Sequence, residues 1–136
     1  MKTLAMALCA AALSGCFVET DDDRGYIRDN SLRGGELVID WTINGDKNPS
    51  ECRQSDAESV VITIYSRGGG VVGDYDQDCE AFATSIPLPP GDYAADAVIL
   101  DYDGYERTTA VEIDPFSIYS GDSVVVDIDF PARSFL

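Results

Sequence analysis

Acidic side chains recur at every second position in one short segment of the chain. Asp74, Asp76 and Asp78 are separated by single residues, and a second group, Asp101 and Asp103, follows further along. Carboxylate oxygens at such spacing are the ligands that calcium takes in proteins. Both segments are therefore candidate calcium loops, and a solvated acidic loop is the alternative for each.

The first of these segments departs from the EF-hand pattern at two positions. That pattern needs glycine at its sixth position, where this chain has Cys79, and a bidentate glutamate at its twelfth, where it has Ser85. Extracellular β-sandwich modules can instead hold calcium between strands with millimolar affinity. The sequence therefore predicts no tightly bound cofactor, and at most weakly bound calcium.

Asp127 and Asp129 form a further pair of carboxylates. On one face of a strand they would lie roughly 6.5–7 Å apart, a separation at which two carboxyl groups can act as acid and base in glycoside hydrolysis. That chemistry needs burial to raise the pKa of one group. Because the pair alternates with an apolar row, we expect both side chains to point into water, and a hydrolase remains the less favoured alternative.

The composition excludes several classes of protein. The chain has 136 residues, 25 acidic and 9 basic side chains, a net charge of −16 and no histidine. A nucleic-acid binder needs clustered Lys and Arg, and a Ser-His-Asp hydrolase needs histidine. Lys47 lies in a Gly/Asn/Pro loop, where a desolvated catalytic lysine is not expected. We therefore predict that the protein is not an enzyme and binds no nucleic acid.

Aromatic side chains are the remaining candidates for ligand binding. Tyr102 and Tyr105 flank the turn signal Asp103-Gly104 and could stack on sugar rings or line a protein interface. Tyrosines at strand ends also cap sandwich cores, which is the alternative. Trp41 falls in the inward row of an alternating segment, so we expect it to fill the core.

The first sixteen residues have the features of an export signal. Lys2 precedes an apolar run from Leu4 to Leu13, which is too short to span a membrane but has the length of a secretory signal. The sequence LSGC at 13–16 resembles the lipobox of bacterial lipoproteins. The resemblance implies that residues 1–15 are removed and that Cys16 receives acyl chains that anchor it in the lipid bilayer. Phe17, in place of Asp, implies the outer membrane in a host with two membranes, facing either the periplasm or the exterior.

The remaining cysteines predict a disulfide bond. Cys9 lies in the signal sequence and Cys16 is the lipidation site, so Cys52 and Cys79 remain as one pair in an exported chain. A zinc site is disfavoured because the pair lacks CxxC spacing and the chain has no histidine.

The chain divides into a tether and a β domain. Residues 16–34 carry an aspartate run without periodicity and are predicted to be a flexible acidic tether, roughly 20–25 Å long. The β domain is predicted at 35–132, with a C-terminal tail at 133–136. Period-2 alternation and Gly/Pro/Asn turns indicate one helical turn at 49–54 and seven strands. The strands are predicted near 35–43, 58–66, 71–72, 80–88, 93–99, 108–113 and 123–130.

Such short strands without a long helix predict an all-β fold, a single antiparallel β-sandwich. The stretch LPPGDYAADAVILDYDGYERTT resembles the strand–turn–strand of immunoglobulin-like and transthyretin-like modules, which implies that architecture and a non-catalytic role. We therefore expect a membrane-anchored lipoprotein whose sandwich is a structural module of the cell envelope or binds a protein or glycan. The alternative is a calcium-dependent adhesion or carbohydrate-binding module.

Overall fold

The computed structural model describes residues 34–136, which form seven strands and one short α-helix. Alternation of apolar and polar side chains accounts for most of the strands, since every second residue points to the same face. The helix α1 spans Pro49–Gln54. The strands are β1 (Gly35–Ile43), β2 (Ser59–Ser66), β3 (Val71–Asp78), β4 (Ala83–Leu88), β5 (Gly91–Leu100), β6 (Val111–Ile118) and β7 (Ser123–Phe130).

The strands form two sheets that pack face to face. The smaller sheet has the order β4-β1-β7 and the larger the order β3-β2-β5-β6. This arrangement confirms the predicted all-β sandwich of seven strands. The pairing of β1 with β7 is parallel, whereas the other strand pairs are antiparallel.

The core lies between the two sheets. Leu37, Ile39, Trp41 and Ile43 supply the inward row of β1, and each of them is fully buried. Burial of one such side chain stabilises the fold by about 1.5–3 kcal/mol. The prediction that Trp41 fills the core is confirmed, and its indole Nε1 donates a hydrogen bond to the carbonyl oxygen of Cys79 at 3.1 Å.

The predicted disulfide bond between Cys52 and Cys79 is confirmed, and both cysteines are fully buried. Cys52 lies on α1, which begins after Asn48, whose side chain accepts a hydrogen bond from the Ser50 amide at 3.0 Å. Cys79 begins a short 3-10 helix that precedes β4. The bond therefore joins α1 to the segment that carries the hydrogen-bond acceptor of Trp41.

The third and sixth strands differ most from their predicted bounds; the fourth begins at Ala83 and not at residue 80, because Cys79–Ala81 form a 3-10 helix, and the second and fifth differ by one or two residues at an end. The third strand continues to Asp78 instead of ending at Val72, because backbone pairing with β2 holds it although its own residues are mostly polar. The sixth strand spans 111–118 instead of 108–113. It passes through Pro115 because a bulge sets two of its residues against Ala94 of β5, so that proline need not donate to the ladder.

The C-terminal residues pack on the domain. The carbonyl of Ser134 accepts a hydrogen bond from the Thr109 amide at 2.8 Å, and the Leu136 amide donates to the carbonyl of Arg107 at 2.9 Å. The side chain of Ser134 is buried. The segment predicted as a tail at 133–136 is thus hydrogen-bonded along residues 107–109.

Connections between strands lie at two opposite ends of the sandwich. At the first, which we call the Gly34 end, the carbonyl of Gly34 accepts a hydrogen bond from the Gly121 amide at 3.0 Å. The same end carries three turns, because the strand pairing places the strand ends that they join beside the start of β1. These turns are at 66–71, 89–90 and 119–122. The opposite end, the disulfide end, carries α1, Cys79 and the turn at 101–104.

The predicted signal sequence at 1–15, the predicted lipidation site Cys16 and the predicted tether as far as residue 33 lie outside the described residues. None of the helices in residues 34–136 has the length and apolar character that a membrane-spanning segment requires.

Candidate functional site

Asp74, Asp76 and Asp78 lie on the edge strand β3 and not in a loop as predicted. Asp74 accepts a hydrogen bond from the Thr63 hydroxyl at 2.7 Å, and Asp78 accepts one from the Glu80 amide at 3.1 Å. All three aspartates are exposed. Charges along an edge strand hinder pairing with a strand from another molecule, which gives this alternation a structural role.

Asp101 organises the turn that carries the two candidate tyrosines. Its Oδ1 accepts hydrogen bonds from the amides of Asp103 and Tyr105, each at 2.9 Å. The same oxygen is therefore engaged by the backbone of its own turn. Tyr102 and Tyr105 are 69% and 72% exposed, so neither caps the core.

The structure brings some of the predicted residues of both acidic segments together. Asp76, Asp78, Asp101 and Tyr102 line one shallow groove of about 430 Å³, which we call the acidic groove. They meet because Ser59 of β2 pairs with Asp78 of β3 on one side and with Leu100 of β5 on the other. The residues that follow Leu100 therefore lie near Asp78. Asp74, Asp103 and Tyr105 are not part of its lining. Within residues 34–136, no three His, Cys, Asp or Glu side chains are grouped so as to hold a metal ion.

Asp127 and Asp129 are both exposed on the outer face of the smaller sheet. The Oδ1 of Asp129 accepts hydrogen bonds from the Thr42 hydroxyl at 2.6 Å and the Gly45 amide at 2.8 Å. A shallow cavity of about 470 Å³ touches Asp129 but not Asp127. The pair therefore lacks the shared, buried cleft that acid–base hydrolysis would require.

A further concave surface, which sequence reasoning missed, lies at the Gly34 end of the larger sheet. We call it the aromatic cleft, and its volume is about 480 Å³. Residues from β2, β5 and β6 and the turn after β2 form it, so distant parts of the chain contribute. The lining residues are Ser66, Arg67, Asp92, Tyr93, Ala94, Pro115, Phe116 and Ser117.

Two stacked rings lie on the core-facing side of the larger sheet, beside the aromatic cleft. The rings of Tyr93 and Phe116 have centroids 5.8 Å apart and an interplanar angle of 27°. The Tyr93 hydroxyl donates to the carbonyl oxygen of Pro89 at 2.7 Å. Burial, and to a lesser extent the charge of Tyr75, raises the pKa of Tyr93 above its usual 10.0. The phenol therefore stays a neutral donor, and its hydrogen bond fixes the ring pair.

Asp92 organises the polar side of the aromatic cleft. Its Oδ1 accepts a hydrogen bond from the Ser117 hydroxyl at 2.6 Å, and its Oδ2 pairs with Nη1 of Arg67 at 3.0 Å. The Asp92 side chain is 50% exposed and that of Arg67 is 83% exposed. A carboxylate held by two neighbours thus lies on the outer face of the larger sheet, in reach of solvent, whereas Tyr93 and Phe116 point into the core.

The bulge in β6 accounts for the position of Phe116. Tyr93 pairs with Phe116 and Ala95 with Ile113, so Asp114 and Pro115 together oppose a single residue of β5. Such bulges redirect side chains and are frequent next to binding and active sites. Pro115 within a strand and the charged Asp92 at a strand start were the available sequence signals. Neither reveals that Asp92 would pair with Arg67.

No protein-family profile matches this sequence, and no curated protein matches it. Several solved structures resemble it distantly. The TIE protein of Bacillus anthracis has a TM-score of 0.46 and 23% identity, over 71% of this chain and 16% of that chain. A candidate adhesin from Bacteroides ovatus has a TM-score of 0.44 and 11% identity, over 71% of this chain and 45% of that one. A candidate polysaccharide-binding protein from Bacteroides thetaiotaomicron has the same score and identity, over 71% and 46%.

This chain therefore spans less than half the length of each of these three proteins. The likenesses are too distant to identify a family.

Proposed function

We propose that this chain is an exported lipoprotein of the bacterial cell envelope whose β-sandwich is a non-catalytic binding module. The observation that carries the proposal is the buried Cys52–Cys79 disulfide within the core. Disulfides of this structural kind form and persist outside the reducing cytoplasm. An exported domain needs a means of staying at the envelope, and the lipobox-like LSGC at 13–16 supplies one through Cys16.

The surface chemistry supports binding over catalysis. Asp127 and Asp129 are exposed on an open sheet face, and the sequence contains no histidine to act as a general base. The acidic groove and the aromatic cleft both combine polar groups with tyrosine or phenylalanine in shallow concavities. Such surfaces suit a protein or glycan partner in the envelope. In a host with two membranes, Phe17 after the lipidated cysteine favours the outer membrane.

The test of this proposal is lipid labelling of the full chain in a bacterial host. Cells expressing the protein are grown with an alkyne analogue of palmitate, and the protein is recovered from membrane and soluble fractions. We expect label and membrane recovery in the parent and their loss in Cys16→Ser. Cys9→Ser is the matched control, because it removes a thiol from the apolar run and leaves LSGC intact.

The same preparations test export. Without reductant, a maleimide-linked polymer should leave the processed parent unshifted on a gel, because both thiols of the domain are joined. After reduction in denaturant, two additions are expected. A Cys16→Ser protein that still partitions with membranes, or a parent with free thiols at 52 and 79, would contradict the proposal.

A further inference from the structure

We infer that the free edge of β7 binds an extended, positively charged segment of an envelope protein, which adds a fourth strand to the three of the smaller sheet. The inference rests on the proposed function, since it names the partner class of the binding module. It assigns Asp127 and Asp129 of β7 a role in recognition rather than in hydrolysis.

β7 is an edge strand with a free row of backbone groups. It ends the order β4-β1-β7, and no strand of residues 34–136 pairs with its other side. The carbonyl of Phe130 accepts a hydrogen bond at 3.1 Å from the amide of Asn44, which follows β1. Backbone groups of alternate residues point to opposite sides of a strand, so those of Val125, Asp127 and Asp129 point away from β1. These groups can bond to an added strand.

The other edges of the two sheets carry features that hinder strand addition. β6 has a bulge at Pro115, and β4 has Pro87 among its six residues. β3 carries aspartates at every second position without an apolar row. β7 has eight residues, no proline and an unbroken register with β1. The smaller sheet can therefore be extended at β7.

The core beside β7 is incompletely covered. Leu37 of β1 pairs with Ile86 of β4 on one side and with Val124 of β7 on the other. Leu37 and Ile86 are 0% and 2% exposed, whereas Val124 is only half-buried. Val126 and Ile128, which follow on the same face of β7, are half-buried too. Apolar side chains at alternate positions of an added strand would shield this row, because they point to one face.

The outer face of β7 sets the charge of the partner. Asp127 and Asp129 are exposed there, and neither forms an ion pair with a Lys or Arg of residues 34–136. The neighbour of Asp127 on β1 is Asp40, whose carboxylate is 3.5 Å from the Lys47 ammonium. Opposite charges on paired strands stabilise the pair, and like charges destabilise it. We therefore expect Lys or Arg at the partner positions beside these aspartates.

Charge disfavours a second copy of this chain as the occupant. Each copy carries −16. Antiparallel pairing of two β7 strands about their middle would bring the Asp127 side chains of both copies together, which is destabilising. A basic strand of another protein avoids this repulsion. Unlike a glycan, it can also pair with the backbone of β7 along its whole length while covering the apolar row.

The experiment titrates labelled peptides with the full chain, purified in a non-ionic detergent, and follows fluorescence anisotropy against a detergent blank. The probe is the peptide KVKVKVK, in which basic and apolar residues alternate. EVEVEVE reverses its charge, and KKVVVKK keeps its composition but not its alternation. We expect KVKVKVK to bind and both other peptides to bind at least roughly tenfold more weakly, because each lacks one of the two matching rows.

Three variants test the edge itself. Asp127→Asn should weaken binding of KVKVKVK about two- to fivefold, as expected for an exposed ion pair. Val125→Pro should abolish binding, because proline lacks the N–H that faces the added strand, whereas the ladder with β1 loses no bond. Asp76→Asn on the edge strand β3 is the matched control and should leave binding unchanged. Melting temperatures show whether each variant is folded, and Asp127→Asn decides alone if Val125→Pro is not.

Hydrogen exchange measured by mass spectrometry locates the bound peptide. Exchange within 123–130 should slow when KVKVKVK is added, whereas exchange within 71–78 should not change. Equal affinity for the three peptides, equal affinity of parent and Asp127→Asn, or slower exchange confined to another segment would overturn the inference. A parent that sediments as a dimer with β7 protected in the absence of peptide would also overturn it. Lipid labelling of Cys16, measured separately, would then still decide the proposed function.

Discussion

Removal of the Cys52–Cys79 disulfide should lower the free energy of unfolding by about 3.5 kcal/mol. The bond closes a loop with a sequence separation of 27. Closing a loop of this length removes roughly 12 cal/mol/K of chain entropy from the unfolded state, which gives that free energy at 25 °C. For a domain of this size, the double variant Cys52→Ala/Cys79→Ala should therefore melt roughly 15–25 °C below the parent.

Trp41 provides the assay, because it is the single tryptophan of the chain and is fully buried. Its emission should shift to longer wavelength as unfolding exposes the indole, and the midpoint can be followed with temperature or urea. The parent, reduced in denaturant and refolded in the presence of reductant so that both thiols stay free, is the second measurement. It should melt close to the double variant.

A double variant that melts within about 5 °C of the parent would refute this reasoning. It would mean that the contacts of α1 and the 3-10 helix, and the hydrogen bond from Trp41 to Cys79, hold the loop together without the covalent bond. A fall in melting temperature much larger than the predicted one would indicate that these contacts also depend on the disulfide.

Three further predictions concern the rest of the domain. Thr108→Val should cost about 1–3 kcal/mol in urea unfolding, because the buried Thr108 hydroxyl accepts the hydrogen bond of the Ile99 amide at 3.0 Å, whereas the exposed Thr109→Val should cost little. Stability should fall as the pH rises above about 10, because burial raises the folded-state pKa of Tyr93 and unfolding then releases its proton; Tyr93→Phe should flatten that fall. Millimolar calcium should leave the melting temperature unchanged, since residues 34–136 lack a carboxylate cluster suited to the ion; a rise with calcium but not magnesium would contradict this.

Strands whose inward face is apolar were predictable from the sequence. The inward row of β1 contains Leu37, Ile39 and Trp41, and β7 has a similar inward row of apolar residues. Such alternation at every second residue is typical of a half-buried strand. The turn at 101–104 and the single helical turn of α1 were predictable for a different reason. Their own residues fix the local backbone geometry. The disulfide was predicted by counting cysteines in a chain that the first sixteen residues mark as a candidate for export.

Features that depend on pairing between strands were not predictable. The second half of β3 is rich in aspartate and lacks the row of apolar residues by which a strand is predicted. It forms a strand because β2 supplies its backbone hydrogen-bond partners. The parallel pairing of β1 with β7 leaves no trace in either strand's own pattern. The aromatic cleft needs the register of three strands and a bulge at Pro115, so Arg67, Asp92 and Phe116 could not be grouped from their positions in the sequence.

The position of Gly34 has a mechanical consequence. Its carbonyl bonds to Gly121, and the amide of Glu36 bonds to the carbonyl of Asp122, so the chain joins the sandwich beside the turn that follows β6. The aromatic cleft lies at the same end. Tension applied through the predicted lipid anchor at Cys16 would therefore enter the sandwich at this end, through β1 and the turn after β6. The disulfide and the exposed tyrosine turn lie at the opposite end, away from the point where that load enters.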